Sequence, residues 1–433
     1  MRNLKNNLKN SEIIQAPYGS QSCLRVKHPT GLNIDIMEMP GYHSAYALFG
    51  TKYGSVNTRF KLKGEQDFAQ VPEGIAHFLE HKLFENEDCD AFARYAQTGA
   101  IANAYTSFDR TAYLFMCSEN FKPSLEILLD FVQHPYFTEE TVRKEQGIIA
   151  QEICMNQDEP GWKLFFNSLR GMYAQHPVRI DIAGTEQSIA QINADLLYRC
   201  YRTFYNLHNM TLAVAGDVKA EEVLEICDQL LIPCEDQGLE QIFPEEPEQI
   251  CCPEMEGTAP VGIPLFSVDF KLRPRKQGSE LLRAELLINQ AMRTLFNSSS
   301  AFYQEMLDKN LINFEFGTDM PFSGGGYFTV GLGGESRNPH EVRDRIFEVL
   351  EQAKAHGFDR QAFERVRRST YGSMISSMNY VESNASMLLD SYMTNTRPFE
   401  SISVLADITY EEAWEFLRNE VRTDNAVLSV VHA

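Results

Sequence analysis

Two segments half a chain apart share one pattern, and this repeat constrains the fold more than any other feature. Residues 192–216 (INADLLYRCYRTFYNLHNMTLAVAG) and 408–432 (ITYEEAWEFLRNEVRTDNAVLSVVH) each lead from an amphipathic helix through a short polar turn to an apolar strand. Asn209 and Asn425 occupy the same place in the two segments. Few side chains are identical, so the repeat is one of architecture rather than of sequence. It predicts two homologous domains in one chain.

Hydrophobic periodicity predicts that both halves are α+β, each with a mainly antiparallel sheet and helices packed on one face. In the first half we expect strands near 22–27, 32–38, 44–50, 101–107, 111–117 and 210–216. In the second half we expect strands near 263–271, 313–318, 326–333 and 425–431, and helices near 279–296, 299–309, 339–356, 360–379 and 410–421.

A segment rich in Glu and Pro separates the two halves. Residues 235–260 (EDQGLEQIFPEEPEQICCPEMEGTAP) have little periodicity, which is typical of a linker. We therefore predict a first domain at 1–235, a linker at 236–260 and a second domain at 261–433.

The first half contains a motif with metal-binding spacing, His77-Phe78-Leu79-Glu80-His81. This H-x-x-E-H run reverses the H-E-x-x-H signature of zinc proteases. On a helix, His77 and His81 lie on one face, and Glu80 lies beside it. Zinc with an open coordination position lowers the pKa of a bound water to roughly 7, and a nearby carboxylate can take its proton. The alternative is a pair of hydrogen-bonded core histidines.

A third ligand has to come from another element. Residues 138–156 (TEETVRKEQGIIAQEICMN) predict a long helix with Thr138 as its N-cap. Glu145 and Glu152 are two turns apart and share one face, so one could bind a metal and the other could support it. Spacing alone leaves open that both are solvated helix glutamates.

Four blocks of the sequence are similar to one peptidase family: PEGIAHFLEHKLFE, GAIANAYTSFDRTAY, KEQGIIAQEI and the DIAG…FYNLHNM run. Together they resemble the inverzincin zinc metallopeptidases, the family of pitrilysin, insulysin and mitochondrial processing peptidase, and most of all bacterial half-size subunits that pair with a homologous subunit. The resemblance implies one zinc ion (Zn²⁺) per chain, with Glu152 as third ligand and Glu145 as a catalytic supporting residue. It also implies that the two domains form half of a clamshell. Manganese or cobalt is a less favoured alternative.

The resemblance also implies how a peptide is held. The run 101–107 corresponds to an edge strand beside the metal, to which an extended peptide adds by main-chain hydrogen bonds. Asn103 and Ala104 fall on the substrate-binding positions. The alternative for Asn103 is an ordinary turn or strand-start residue.

One departure from the family concerns the second half. Active relatives carry an Arg and a Tyr seven residues apart that stabilise the oxyanion, a kind of donor that typically contributes about 10²–10³ in rate. Here Leu307 and Phe314 occupy those places, and neither side chain donates a hydrogen bond. We therefore expect a heterodimer with a homologous subunit, although a homodimer remains possible. An alternative is that other side chains supply the donors: Arg273, Arg275, Tyr303 or Tyr327.

Composition excludes several classes of function. The formal net charge of −21 argues against nucleic-acid binding, and no apolar run is long enough for a transmembrane helix. Nine cysteines without a C-x-x-C pair indicate reduced thiols and a cytoplasmic protein.

Taken together, these features predict a zinc endopeptidase that cleaves short unfolded peptides in an enclosed chamber. The alternative is a non-catalytic structural or peptide-binding subunit of an assembly. The intact H-x-x-E-H motif favours the first, and the missing Arg and Tyr favour the second.

Overall fold

A computed structural model describes residues 10–87 and 89–433 and confirms the α+β class. The strands are β1 (Ser11–Gln15), β2 (Ser22–Lys27), β3 (Asn33–Glu38), β4 (Ala45–Thr51), β5 (Arg59–Lys61), β6 (Ala69–Gln70), β7 (Ile101–Thr106), β8 (Thr111–Cys117), β9 (Met210–Gly216), β10 (Glu240–Gln241), β11 (Glu254–Thr258), β12 (Leu265–Lys271), β13 (Gly317–Thr318), β14 (Phe322–Gly324), β15 (Tyr327–Glu335) and β16 (Ala426–His432).

Helices connect most of these strands. They are α1 (Ile75–Leu83), α2 (Ala91–Thr98), α3 (Phe121–Gln133), α4 (Glu139–Asp158), α5 (Pro160–Met172), α6 (Glu186–Ile189), α7 (Ala194–Phe204), α8 (Ala220–Leu230), α9 (Ser279–Phe296), α10 (Ala301–Asp308), α11 (Pro339–His356), α12 (Arg360–Ser377), α13 (Val381–Met393), α14 (Glu400–Asp407) and α15 (Tyr410–Glu420).

The chain forms two compact units that are not contiguous in sequence. Unit 1 takes in the described residues up to Gln151 together with Asp181–Ile242 and Ile375–Phe399. Unit 2 takes in Glu152–Ile180, Phe243–Met374 and Glu400–Ala433. The division between them falls inside α4, which is one continuous helix.

Five strands of each unit's main sheet have the same order and the same pairing directions. In unit 1 the strand order is β1-β2-β3-β9-β4-β8-β7, and in unit 2 it is β11-β16-β12-β15-β13. The pairs β3–β9 and β11–β16 are parallel, and every other pair in these two orders is antiparallel. The predicted duplication is therefore confirmed at the level of strand pairing, with β11 in the place of β3 and β13 in the place of β7.

One helix of each half of the sequence belongs to the unit that is formed mainly by the other half. Helix α5 packs on β16, β11 and β12, whereas α13 packs on β9, β4 and β3. Successive residues of a strand point to opposite faces of the sheet. In unit 2, α5 therefore covers the face of β12 that points away from the main core. Phe266, Val268 and Phe270 point into the main core, and Asp269 meets Ser168 of α5 on the opposite face.

The repeated asparagines occupy equivalent places and share one kind of bond, to the end of a neighbouring strand. Asn209 precedes β9 and donates from Nδ2 to the main-chain oxygens of Phe204 at 3.0 Å and of Lys52, just after β4, at 3.4 Å. Asn425 precedes β16 and donates from Nδ2 to the carbonyl oxygen of Lys271, at the end of β12, at 3.0 Å. Each asparagine thus ties the start of a central strand to the end of its neighbour.

Several element boundaries differ from the predicted ones. The segment 313–318 forms a strand only at Gly317–Thr318, and the linker 236–260 contains β10 and β11.

No helix in the described part of the chain combines the length and the hydrophobicity needed to cross a lipid bilayer. No disulfide joins any of the nine cysteines, all of which lie in the described part of the chain.

Candidate metal centre

Helix α1 starts at a glycine that no other residue could easily replace. Gly74 has φ 86°, in the left-handed region, and a Cβ there would lie 2.3 Å from the carbonyl oxygen of Ala183. The helix then buries Phe78 and Leu79 completely against the core of unit 1. Because these apolar residues fix the rotation of α1, the polar residues of the motif are held in one direction.

The two motif histidines lie side by side, and a glutamate of α4 joins them. The ring centroids of His77 and His81 are 4.5 Å apart. One ligand atom each from His77, His81 and Glu152 all lie within 4.8 Å of one another. The structure thus brings together the three residues that the sequence predicted as metal ligands.

A second glutamate of α4 fixes the orientation of one of these rings. Glu145 Oε1 lies 3.0 Å from Nδ1 of His81. When Nδ1 carries the proton and donates to this carboxylate, Nε2 keeps its lone pair for a metal. Glu145 therefore lies where a supporting residue should, and it is itself largely buried.

The environment of His77 keeps its ring uncharged. Burial, and then the neighbouring His81, lower the pKa of His77 to about 3. A neutral imidazole is the form that binds a metal, so no proton has to leave His77 near neutral pH.

Glu80 is buried beside the histidines and is linked to β7. Its Oε2 accepts a hydrogen bond from Thr106 Oγ1 at 3.0 Å, and only 8% of the residue is exposed. Thr106 Oγ1 also lies 3.3 Å from Thr111 Oγ1, and Thr111 donates to the carbonyl oxygen of Tyr53 at 2.8 Å. The last residue of β7 is therefore connected to the candidate general base.

Strand β7 is the last strand of the unit 1 sheet and, in the described part of the chain, pairs with β8 alone. Asn103 is exposed, and its Oδ1 accepts from the main-chain N–H of Ala104 at 2.9 Å. That N–H is therefore not directed at β8. Because the main-chain groups of successive residues point alternately to the two sides of a strand, those of Ala102, Ala104 and Thr106 point away from β8. This edge is open to pairing with an extended chain.

The donor set fits zinc. Two imidazoles and one carboxylate within 4.8 Å are the protein ligands of many catalytic zinc sites, which keep a further position open. Glu145, the second carboxylate, is hydrogen-bonded to the imidazole of His81. Histidine ligands of zinc usually have such a hydrogen-bond partner, which fixes the orientation of the ring.

The residues considered as oxyanion donors lie in unit 2 and are poorly placed to donate. Leu307 packs against the core, and Phe314 is 83% exposed. Tyr303 and Tyr327 are buried. Arg275 Nη2 lies 2.7 Å from Glu420, whereas Arg273 is largely exposed and 3.8 Å from Glu248.

Sequence reasoning missed the hydroxyl groups of Thr106 and Thr111. A weak signal was present, because Thr106 is two residues beyond Ala104 and so lies on the same face of β7. Its contact with Glu80 depends on how α1 packs on the sheet, which periodicity does not give.

Two family models and a long relative match this chain. Residues 69–186 match the family model described as Insulinase (Peptidase family M16), and residues 191–370 match the model described as Peptidase M16 inactive domain. A protein of Bacillus subtilis (strain 168), described as the uncharacterized zinc protease YmfH, is 39% identical over 409 residues, or 94% of this chain and 95% of the relative.

Two solved structures show the same fold. A protein from Alicyclobacillus acidocaldarius, described as an M16-like peptidase, has a TM-score of 0.92 and 34% identity, covering 96% of this chain and 100% of the other. Pitrilysin has a TM-score of 0.76 and 14% identity, covering 98% of this chain and 46% of that protein. With a relative matched over nearly its whole length and both family models placed in order along the sequence, the chain belongs to peptidase family M16.

Proposed function

We propose that this protein is a zinc-dependent endopeptidase subunit that cleaves short unfolded peptides. The observation that carries the proposal is the meeting of His77, His81 and Glu152, with the carboxylate of Glu80 buried beside them. A scaffold protein has no need to bury such a group of ligands, because buried polar side chains cost stability unless they have a partner. The zinc-protease descriptions of relatives support the same assignment.

Each residue then has a defined task. When bound, zinc supplies Lewis-acid chemistry toward the attacking water and the scissile carbonyl. His77, His81 and Glu152 hold it, and Glu145 keeps His81 in the required tautomer. Glu80 takes the proton of the attacking water and passes it to the leaving amine.

The substrate is proposed to lie along β7. The outward backbone groups of Ala102, Ala104 and Thr106 can pair with an extended peptide, which gives affinity with little demand on side chains. Before a peptide binds, the N–H of Ala104 donates a hydrogen bond to the side chain of Asn103. Asn103 therefore has to release that N–H when substrate pairs with the strand, so both residues belong to the binding site.

A homologous subunit is proposed to complete the active site. Neither Leu307 nor Phe314 can donate a hydrogen bond to an oxyanion, and the alternative donors are buried or paired with carboxylates. A heterodimer would supply the missing donors from the partner, whereas a homodimer would supply Leu and Phe again. We place the reaction in the cytoplasm, in keeping with nine cysteines that form no disulfide in the described part of the chain.

The second candidate function is a non-catalytic peptide-binding subunit. The observation that favours it is that Leu307 and Phe314 stand where active relatives carry their Arg and Tyr. Such a subunit would bind peptides on β7 and would not hydrolyse them.

Peptide hydrolysis tests the proposal against this alternative. Zinc-loaded protein would be incubated with quenched-fluorescent peptides, alone and with a homologous subunit encoded in the same genome. Glu80→Gln is the test variant, and Glu140→Gln, on the exposed first turn of α4, is the matched control. We expect hydrolysis in the mixture that is abolished by Glu80→Gln and kept by Glu140→Gln. Peptide binding without hydrolysis in every combination would instead favour the non-catalytic subunit.

A further inference from the structure

We propose that Thr106 is the positioning residue of Glu80 and that its hydroxyl couples the peptide-binding strand to the general base. This role rests on the proposed peptidase function, in which Glu80 takes a proton from water. It adds to the metal ligands a residue whose contribution is neither to bind zinc nor to transfer the proton.

The first support is the geometry of the contact. Thr106 ends β7 and donates from Oγ1 to Oε2 of Glu80 at 3.0 Å. Glu80 sits on α1, whose rotation is fixed by its buried apolar residues, so the hydrogen bond acts on the one part of Glu80 that can still turn, its side chain. A hydrogen bond to an ionised group is among the stronger polar contacts in a protein, especially where water is largely excluded.

The second support is the direction of the hydrogen bonds beyond Thr106. Thr111 donates its single hydroxyl proton to the carbonyl oxygen of Tyr53 at 2.8 Å, because a carbonyl can only accept. In the contact of 3.3 Å between the two threonine hydroxyls, Thr111 must therefore be the acceptor. Thr106 thus has two acceptors within reach, Glu80 and Thr111.

This arrangement suits both states through which a general base passes. While Glu80 is a carboxylate, Thr106 donates to it. Once Glu80 has accepted the proton of water on its other oxygen, Oε1, the oxygen Oε2 is the carbonyl oxygen of the acid and still accepts from Thr106 Oγ1. No heavy atom has to move, so the hydrogen bond that orients Glu80 persists across the proton transfer.

The third support is that Thr106 belongs to the substrate strand. Alternation along β7 directs its main-chain groups outward, on the side where a peptide would pair, while its side chain meets Glu80. A peptide paired with β7 therefore binds the same residue that orients the base. Substrate register and base orientation are coupled through one residue.

A merely structural role makes a different prediction. If Thr106 only joined β7 to α1, its loss would lower stability and would weaken peptide and zinc binding together with the rate. A positioning role lowers kcat and leaves KM, zinc content and thermal stability nearly unchanged.

The test compares Thr106→Val, which has the same shape but no hydroxyl, with Thr106→Ser, which restores the hydroxyl. Both are made in the full chain and assayed with the partner subunit on a peptide that the wild type cleaves. We expect Thr106→Val to lower kcat roughly 10- to 100-fold with KM within about twofold, and Thr106→Ser to recover most of the rate. Thr106→Ala serves as the second hydroxyl-free variant if the valine variant does not fold.

Crystal structures of the zinc-loaded variants give a readout that does not depend on activity. We expect the Glu80 carboxylate to leave its wild-type rotamer in Thr106→Val and to keep it in Thr106→Ser. Equal kcat values for the hydroxyl-free and serine variants, with Glu80 unmoved in both, would overturn the inference. If the wild type itself fails to hydrolyse peptides, the proposed function fails, whereas the rotamer of Glu80 still decides the role of Thr106.

Discussion

Each unit contains an equivalent pair of helices, α1 and α4 in unit 1 and α9 and α12 in unit 2. Of these two pairs, the first brings metal-binding groups together and the second does not. In unit 1, α1 is the first helix after β4, and α4 is the second helix after β8. In unit 2, α9 follows β12 and α12 is the second helix after β15. A hydrogen bond between His81 and Glu145 joins α1 to α4. Hydrogen bonds among Arg293, Gln290 and Thr370 join α9 to α12.

The second contact excludes a metal ion by its chemistry. Arg293 donates to Thr370 Oγ1 at 2.9 Å, and Thr370 donates to Gln290 Oε1 at 3.3 Å. A guanidinium stays charged at all physiological pH values and repels a cation, and neither an amide nor a hydroxyl replaces two imidazoles as zinc ligands. The two helix pairs therefore have the same backbone arrangement but different side chains between the helices. Metal binding depends on those side chains rather than on the fold.

The largest effect is expected from removing a ligand in the first copy. We expect His81→Ala to reduce the zinc content from about one ion per chain to near zero, because two protein ligands do not retain the ion. The matched change in the second copy, Thr370→Ala, should leave the zinc content unaltered. Elemental mass spectrometry of dialysed protein measures both. Equal zinc content in wild type and His81→Ala would contradict the proposed difference between the two helix pairs.

A smaller effect is expected from the residue that supports the site. Glu145→Gln keeps the shape of the side chain but removes the charge that orients His81, and we expect zinc affinity to fall roughly 10- to 100-fold. Competition with a chromophoric chelator gives the dissociation constant. An unchanged constant would show that the contact of 3.0 Å does not support the metal.

The repeated asparagines should act alike in the two units. Asn209 and Asn425 each donate to a main-chain oxygen at or just after the end of a neighbouring strand. Asn209→Ala and Asn425→Ala should therefore each lower the free energy of unfolding by about 1–2 kcal/mol. Urea unfolding followed by circular dichroism measures the loss. A loss confined to one variant would show that the two segments share their shape but not their energetics.

The smallest effect concerns the contact of helix α5 with β12, both of which belong to unit 2. Asp269 accepts from Ser168 at 2.6 Å and Ser267 at 2.7 Å, but burial raises its pKa from 3.8 to about 6. Between about pH 4 and 6 the folded protein therefore holds a proton that the unfolded chain has lost, so stability falls as pH rises through this window and stays lower above it.

Asp269→Asn tests that dependence on pH. The variant should be more stable than the wild type at pH 8 by about 1 kcal/mol, a value reduced from the full pKa shift because the carboxylate keeps some contact with water. The difference should shrink toward pH 4, and thermal unfolding across this range measures it. A variant that is less stable than the wild type at pH 8 would contradict the sign.

Much of the fold could be predicted because its signals are local. The helices 279–296 and 339–356 were predicted with the bounds that the structure shows, since amphipathic periodicity and a terminal Pro or Gly are readable in a short window. Strand β11 was missed because its sequence, EMEGT, is acidic and poor in apolar residues. It forms by pairing in parallel with β16, which lies far away in the chain.

The part of the site that could be predicted from the sequence is the part that lies in one short motif. The spacing of His77, Glu80 and His81 fixes their relation on a helix, and a family resemblance was needed to choose Glu152 from among the other carboxylates. That α5 and α13 belong to the unit formed mainly by the other half of the sequence could not be predicted, because a helix that packs on a distant sheet has the same periodicity as one that packs on its own.

The central claim is that the first helix pair, and not the second, holds zinc. Anomalous diffraction at the zinc absorption edge, from crystals grown with zinc and without chelator, tests it most directly. The account predicts one strong peak between His77, His81 and Glu152, and no peak beside Arg293 and Thr370. A zinc-loaded crystal with no peak between those three side chains, or with its peak in the second helix pair, would contradict it.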